Sequence, residues 1–158
     1  NAGIVNTDDF DKLPLSNWNR IIVVDLTAVF LTSQVLFRHM EQIGGGRIVN
    51  VASIAGKVGG GYLGTAAYAA AKAGVISLTK AGSSKNIYCN SLCPAYTKTP
   101  LVTILTGEKE QKVLDAMSLH RAATPEEVAN GVLFLASDAA SFVQGENLNC
   151  DGGMLMNG

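Results

Sequence analysis

The sequence predicts an α/β protein, a parallel sheet with helices on both faces in three layers. Short runs rich in β-branched residues, RIVNVAS (47–53), NIYCNSLCP (86–94) and ENLNCDGG (146–153), alternate with helical patterns. The helix starts and stops between them carry recognisable signals. No repeat, low-complexity tract or linker divides the chain, so residues 1–158 read as one domain.

In chain order, a long helix is expected from Ser16, its N-cap, with an apolar stripe through Trp18, Ile21, Ile22 and Val29 and a stop at Gly44 to Gly46. RIVNVAS follows as the first strand. GKVGGGYLG (56–64) reads as a mobile loop leading into the Ala-rich helix GTAAYAAAKAGVISLTK, which stops at Gly82. These glycines do not form a phosphate cradle, because they do not join a strand directly to a helix start. NIYCNSLCP is a second strand ended by Pro94, and a polar segment runs from Thr99 to about Ala123. TPEEVANGVLFLAS then opens a helix with Thr124 as N-cap, Pro125 at its first position and two glutamates in its first turn. ENLNCDGG is the last strand.

Composition narrows the function classes. The chain has 158 residues, net charge −1 and 47% hydrophobic residues, which supports one cored domain and gives no charge excess directed at nucleic acid. No uninterrupted apolar run approaches the roughly 18 residues of a membrane span, and the first residues lack the order of a secretory signal. A cytoplasmic protein with no membrane or nucleic-acid partner is expected. Cys89, Cys93 and Cys150 lie in apolar surroundings and read as reduced thiols, and no metal set is expected.

In open parallel sheets ligands sit at the carboxyl ends of the strands. That rule selects Ser53, at the end of RIVNVAS, the segment PAYTKT after the second strand, and Tyr68 near the start of the helix leaving the same edge. Lys72, four residues on, shares a helix face with Tyr68. A phenol ordinarily ionises near 10, and an adjacent cation favours the phenolate, so the pair could form a tuned proton donor with Ser53 holding a substrate oxygen beside it. It could equally be a surface pair of helix-forming residues, and Ser53 a strand-ending turn residue. Asp25 falls on the apolar face of the long helix, where an unpaired charge is costly. It requires a partner, a raised pKa or a water network, or it is a satisfied structural acceptor.

Taken together, NAG at residues 1–3, NVAS ending in Ser53, YAAAK at residues 68–72, NSLCPAYTKTP, PEEVA and the closing DGG at 151–153 resemble the classical short-chain dehydrogenase/reductase family in order and spacing. The resemblance implies a Rossmann-type doubly wound sheet, an NAD or NADP cofactor, and a homotetramer. It makes Tyr68 the catalytic acid/base, Lys72 the residue that lowers its pKa and binds the nicotinamide ribose, and Ser53 the residue that orients the substrate oxygen. Asn1, Ala2 and Gly3 would line the adenosine side of the cofactor, and Pro94, Ala95, Thr97 and Thr99 the nicotinamide end. Within the family the motifs look most like 3-oxoacyl-carrier-protein reductases, with small-molecule or acyl-carrier-bound carbonyl substrates. Sugar or polyol dehydrogenases and a non-catalytic binding or oligomer subunit are the alternatives.

Four departures from the family pattern stand out. The chain opens at NAG, where family members carry beforehand a βαβαβ half with the glycine turn that wraps the pyrophosphate; it reads as the C-terminal part of such a domain, its N-terminal half absent. Asp25 occupies the place of the usual asparagine of the proton relay, and an ionised aspartate accepts but does not donate. Ala95 stands where glycine is usual. The segment between Lys72 and Asn90 is about one helical turn short, which reads as a second missing piece. Residues 99–116, with Leu101, Val102, Ile104 and Leu105 ahead of a polar stretch, suit a substrate lid.

Overall fold

The computed structural model describes residues 1–60, 66–102 and 105–156. The chain forms helix α1 (Leu15–Ile22), a π-helical turn (Val23–Thr27), α2 (Ala28–Ile43), β1 (Gly46–Val51), the short α3 (Ala55–Val58), α4 (Ala66–Ala81), β2 (Ile87–Pro94), α5 (Glu108–Asp115), α6 (Pro125–Ala136) and β3 (Asn147–Cys150). The strands make one parallel sheet in the order β1-β2-β3, as the alternation of strand and helix patterns requires. The register runs from Gly46 opposite Ile87 to Val51 opposite Leu92, and from Ser91 opposite Asn147 to Pro94 opposite Cys150.

Helices cover both faces of β2, and its side chains alternate between them. On one face Cys89 packs with Ile48, Phe37 and Met40, and Cys93 with Ala52, Ile54, Val75 and Leu26. On the other, Leu92 meets Gly131 of α6, where an added Cβ would lie 2.8 Å from the leucine methyl. Buried side chains tie the central strand to β3 and the loop before it: Asn90 donates to the Val143 carbonyl at 3.0 Å and accepts from the Glu146 N–H at 2.9 Å, while Ser91 pairs with Asn147. The cysteines are free, with Cys89 and Cys93 buried, and burial pushes the Cys89 thiol up to about 11.

The start of α6 is as expected. Thr124 accepts from the Glu127 N–H and Glu127 accepts from the Thr124 N–H, a reciprocal cap behind Pro125. The start of the long helix differs. It begins at Leu15 with Pro14 as N-cap and no side-chain cap bond, because a proline before the first turn presets the backbone and makes the Ser16 hydroxyl unnecessary. The helical stretch Leu15–Ile43 is 29 residues long and holds an 18-residue window of mean hydropathy 1.7, so by length and composition alone it is able to cross a membrane. Counting uninterrupted apolar runs missed this, because averaging over a window tolerates scattered polar residues. Its inner side packs on α4: Ile21, Trp18, Ile22 and Leu26 surround Ala67 and Ala71.

Part of the glycine-rich stretch read as a mobile loop is helical, since α3 ends at Val58 and Gly59 closes it at φ 81°. Residues 61–64 of that loop, and residues 103–104 of the expected lid, lie outside the described residues. Helix α4 stops at Ala81 as expected. The short connection onward is satisfied by Ser83, which donates to the Thr79 and Cys89 carbonyls, and by Gln144, which accepts from the Cys89 N–H and donates to the Ser84 and Ile87 carbonyls.

Candidate active site

Ser53 sits just beyond the carboxyl end of β1 between two ladder bonds, Ala52 N–H to the Leu92 carbonyl (2.8 Å) and Ile54 N–H to the Pro94 carbonyl (3.0 Å). Its backbone is therefore an extension of the sheet. Its Oγ accepts from the Ala55 N–H at 3.1 Å, which turns the hydroxyl proton outward, and the side chain hydrogen-bonds the Tyr68 phenol.

Helix α4 delivers Tyr68 and Lys72 one turn apart. The Lys72 ammonium lies 5.6 Å from the centroid of the Tyr68 ring and donates to the Val51 carbonyl at 3.2 Å. Lys72 is 4% exposed, so the surface-pair reading of YAAAK is excluded. Two glycines fix the helix here. A Cβ at Gly56 of α3 would meet the Lys72 carbonyl carbon and the Ala73 nitrogen at 2.6 Å, and one at Gly74 would meet Leu26 at 2.6 Å. At Gly56 the contact is with the α4 backbone and tolerates no side chain, whereas at Gly74 it is with the tip of Leu26.

Asp25 lies in the π-helical turn and is fully buried. One carboxylate oxygen accepts from the Ile4 N–H at 2.9 Å, tying the opening NAG segment to the long helix. A Cβ at Gly3 would stand 3.7 Å from both Asp25 oxygens and 3.8 Å from Lys72 Nζ. Carboxylate, ammonium and the bare Gly3 backbone thus converge on one small space.

A cavity of about 1190 Å³ is lined by Asn1, Ala2, Gly3, Ser53, Tyr68, Lys72, Pro94, Ala95, Thr97 and Thr99. Every predicted site residue except Asp25 is on its wall; Asp25 sits behind Gly3 and Lys72. Ala95, in the place of the usual glycine, also packs against the core clusters on either side.

Burial raises the Tyr68 phenol above its ordinary value, the Ser53 hydrogen bond works against that, and the charge of Asp25 adds to it. Lys72 is lowered by burial, with Asp25 and then Cys93 opposing. Asp25 is raised by burial, with the Ile4 N–H and then Lys72 opposing. Desolvation of a largely buried phenol is the largest of the influences on Tyr68, and it leaves the phenol above its ordinary value.

The residues beyond Thr99 form a unit with its own small core. Tyr96, Leu105, Val113, Met117 and Ala122 pack together with Val102, Leu114 and Met154. The two ends of the excursion meet: Thr97 bridges Ala123, Lys98 N–H donates to the Ala123 carbonyl, and Ala123 N–H to the Tyr96 carbonyl. The Tyr96 hydroxyl donates to Glu110 at 2.8 Å, and burial together with that carboxylate pushes the phenol up to about 12. Sequence reasoning did not anticipate this bond, the π-helical turn or the Gly56 and Gly74 contacts. The closing DGG is a structural turn, in which buried Asp151 accepts from the Gly153 and Leu155 N–H groups.

A family model described as enoyl-(acyl carrier protein) reductase matches residues 1–155. The chain is 42% identical to cis-4-hydroxycyclohexanecarboxylate dehydrogenase of Sinomonas cyclohexanicum, over 97% of this chain and 63% of that protein. It is 37% identical to a 3-oxoacyl-carrier-protein reductase of Aquifex aeolicus, over 98% and 63%. A Beutenbergia cavernae protein described as an NAD(P)-dependent gluconate 5-dehydrogenase, with NADP bound at low occupancy, superposes with TM-score 0.90 at 34% identity, covering 97% of this chain and 63% of the other. The 3-oxoacyl-carrier-protein reductase of Brucella melitensis gives TM-score 0.88 at 30% identity, covering 99% and 62%. The chain spans under two thirds of the length of each. With the parallel sheet and the assembled Ser53, Tyr68 and Lys72 already in place, these matches make the chain a member of the classical short-chain dehydrogenase/reductase family.

Proposed function

We propose that the protein is an NAD(P)-dependent oxidoreductase that interconverts a ketone and a secondary alcohol, acting as a 3-oxoacyl-carrier-protein reductase. The observation that carries the reading is the Ser53–Tyr68 hydrogen bond at the cavity wall with Lys72 held directly behind it. Three groups that are separate in sequence meet where a carbonyl oxygen would need both a positioned donor and a proton source.

The residues present fit a nicotinamide. The cavity wall at Gly3 is bare backbone, and Tyr68, Lys72, Pro94, Ala95, Thr97 and Thr99 share the same wall. When bound, the cofactor supplies or accepts the hydride. Tyr68 Oη gives its proton to the substrate oxygen in reduction and takes it in oxidation. Ser53 holds that oxygen in place, its own lone pair occupied by the Ala55 N–H. Lys72 would hold the ribose, and Asn1, Ala2 and Gly3 the adenosine side.

Leu101, Val102, Val113, Ala116 and Met154 line the lid side of the cavity, which favours an acyl chain over a polyhydroxylated sugar or polyol. A homotetramer in the cytoplasm goes with this reading; its support is the outward apolar surface of the long helix, where Val23, Leu31, Val35 and Phe30 are exposed.

Two measurements on the whole gene product test the proposal. NADH or NADPH should bind, seen as a change in cofactor fluorescence; no binding of either at millimolar concentration sinks the enzyme reading in favour of a non-catalytic subunit. Tyr68→Phe should lower turnover about 10²- to 10⁴-fold with cofactor binding nearly intact, and undiminished turnover would show that Tyr68 is not the acid.

A further inference from the structure

We propose that Lys57 is a positioning residue for this site, fastening helix α3 to the outer strand β3 so that Ser53 and Lys72 keep one arrangement. The inference rests on the oxidoreductase reading above and adds a residue that lies off the cavity wall. Helix α3 touches both halves of the site. At its start the Ala55 N–H donates to Ser53 Oγ and the Gly56 N–H to the Ser53 carbonyl, each at 3.1 Å. Gly56 is seated so closely on α4 that its Cβ position lies 2.6 Å from the Lys72 carbonyl carbon and the Ala73 nitrogen. A shift of α3 therefore disturbs both the donor that turns the Ser53 hydroxyl outward and the surface on which the Lys72 backbone rests.

A helix of four residues, Ala55–Val58, does not hold itself, because one turn is far below the length at which a helix forms unaided. Its place is set by what its side chains reach. Ala55 is buried, Gly56 has no side chain and Val58 is exposed, which leaves Lys57 as the one polar side chain of α3. Its ammonium donates to the Asn147 carbonyl at 2.7 Å and to Asn149 Oδ1 at 2.5 Å.

The far end of the tie is itself fixed. Asn147 and Asn149 sit two residues apart on β3 and so share a face of the sheet, with Asn147 opposite Ser91 and Asn149 opposite Cys93. The Asn147 side chain pairs with Ser91 of the central strand, and Asn149 Nδ2 donates to the Leu155 carbonyl at 3.1 Å. Lys57 thus joins α3 to a strand already locked in the sheet, across 90 and 92 residues of sequence. Both acceptors are oxygens without formal charge, so the tie depends on reach and direction while the ammonium makes each bond charge-assisted. Holding the four-carbon stem in one rotamer costs entropy, which the two bonds offset.

The test compares Lys57→Met, which keeps the stem and removes the donor, with the unaltered whole gene product. Its kcat should fall about ten- to a hundredfold at a nearly unchanged KM for the nicotinamide, since the cavity wall keeps all its residues. An unchanged kcat with a lower Tm means that the tie only stabilises the fold, and overturns the proposal. Asn149→Ala removes one of the two bonds and should lower kcat about fivefold. Combined with Lys57→Met it should cause no further loss, and additive losses overturn the proposal. Should Lys57→Met not fold, Asn149→Ala decides alone, by the same split between kcat and KM. Amide hydrogen exchange supplies a readout without turnover: the Ala55 and Gly56 N–H groups should exchange about tenfold faster in Lys57→Met while those of β2 keep their rates. Unchanged exchange at Ala55 and Gly56 overturns the proposal. Absence of turnover in the unaltered protein sinks the oxidoreductase reading instead, and exchange then shows by itself whether Lys57 holds α3.

Discussion

The wall around Lys72 and the lid beyond Thr99 face the same cavity but are held in place by different means. Around Lys72 the fixing contacts are backbone to backbone: ladder bonds on both sides of Ser53, and helix α3 pressed so closely on α4 that Gly56 has no room for a methyl. The lid is fixed by side chains, a five-residue apolar core and the Tyr96–Glu110 bond, on a stem where Thr97 meets Ala123. The wall around Lys72 is thus set by main-chain geometry that few substitutions can reach, whereas the segment beyond Thr99 is a closed excursion able to change without disturbing it.

This contrast predicts a graded series of effects. The largest is expected for Gly56→Ala. A methyl 2.6 Å from the α4 backbone cannot be relieved by a rotamer change, so stability should fall by about 1–3 kcal/mol and turnover with it. A thermal melt and a kcat measurement check this, and a neutral result would show that α3 is free to slide. A smaller effect is expected for Tyr96→Phe, which removes one part-buried hydrogen bond and costs about 1 kcal/mol. Its signature is a raised KM with kcat nearly unchanged, since the wall around Lys72 is untouched; a fall in kcat alone would mean that the two regions are coupled.

The smallest effect concerns the far root of the lid, where Arg121 grips Glu127 with two bonds of 2.7 and 2.8 Å. That grip, aided by the Thr124 N–H, holds the Glu127 carboxyl down at about 2 against an ordinary 4.5. A lowered folded-state value stabilises above the unfolded value and is lost as pH falls through the folded one. The Tm should therefore decline between pH 4.5 and about 2 more steeply in the unaltered protein than in Glu127→Gln. Identical slopes would remove the clamp from the account.

The grouping of Ser53, Tyr68 and Lys72 on one cavity wall was legible because these residues sit at strand ends and at helical spacing, where local rules assign position. Ser53, Tyr68 and Lys72 follow from RIVNVAS and YAAAK, and the α6 start from TPEE. What stayed hidden depends on contacts between distant segments. Gly56 looked like loop flexibility, and only the approach of α4 shows it to be a packing requirement. The burial of Asp25 was expected from its apolar neighbours, but the π-helical turn that carries it has no signal in VVDLT. Tyr96 meets Glu110 across the lid, a pairing invisible from composition.

The sheet order also bears on how quickly the protein can assemble. Asn90 and Ser91 find their partners near β3 only by closing loops of 53 and 56 residues, and the lid excursion lies inside both. Such distant pairings carry a closure entropy that must be met before they return any stability. The capture of β3 is therefore expected to be a late kinetic event, and a lengthened lid would slow refolding while leaving the unfolding rate nearly unchanged.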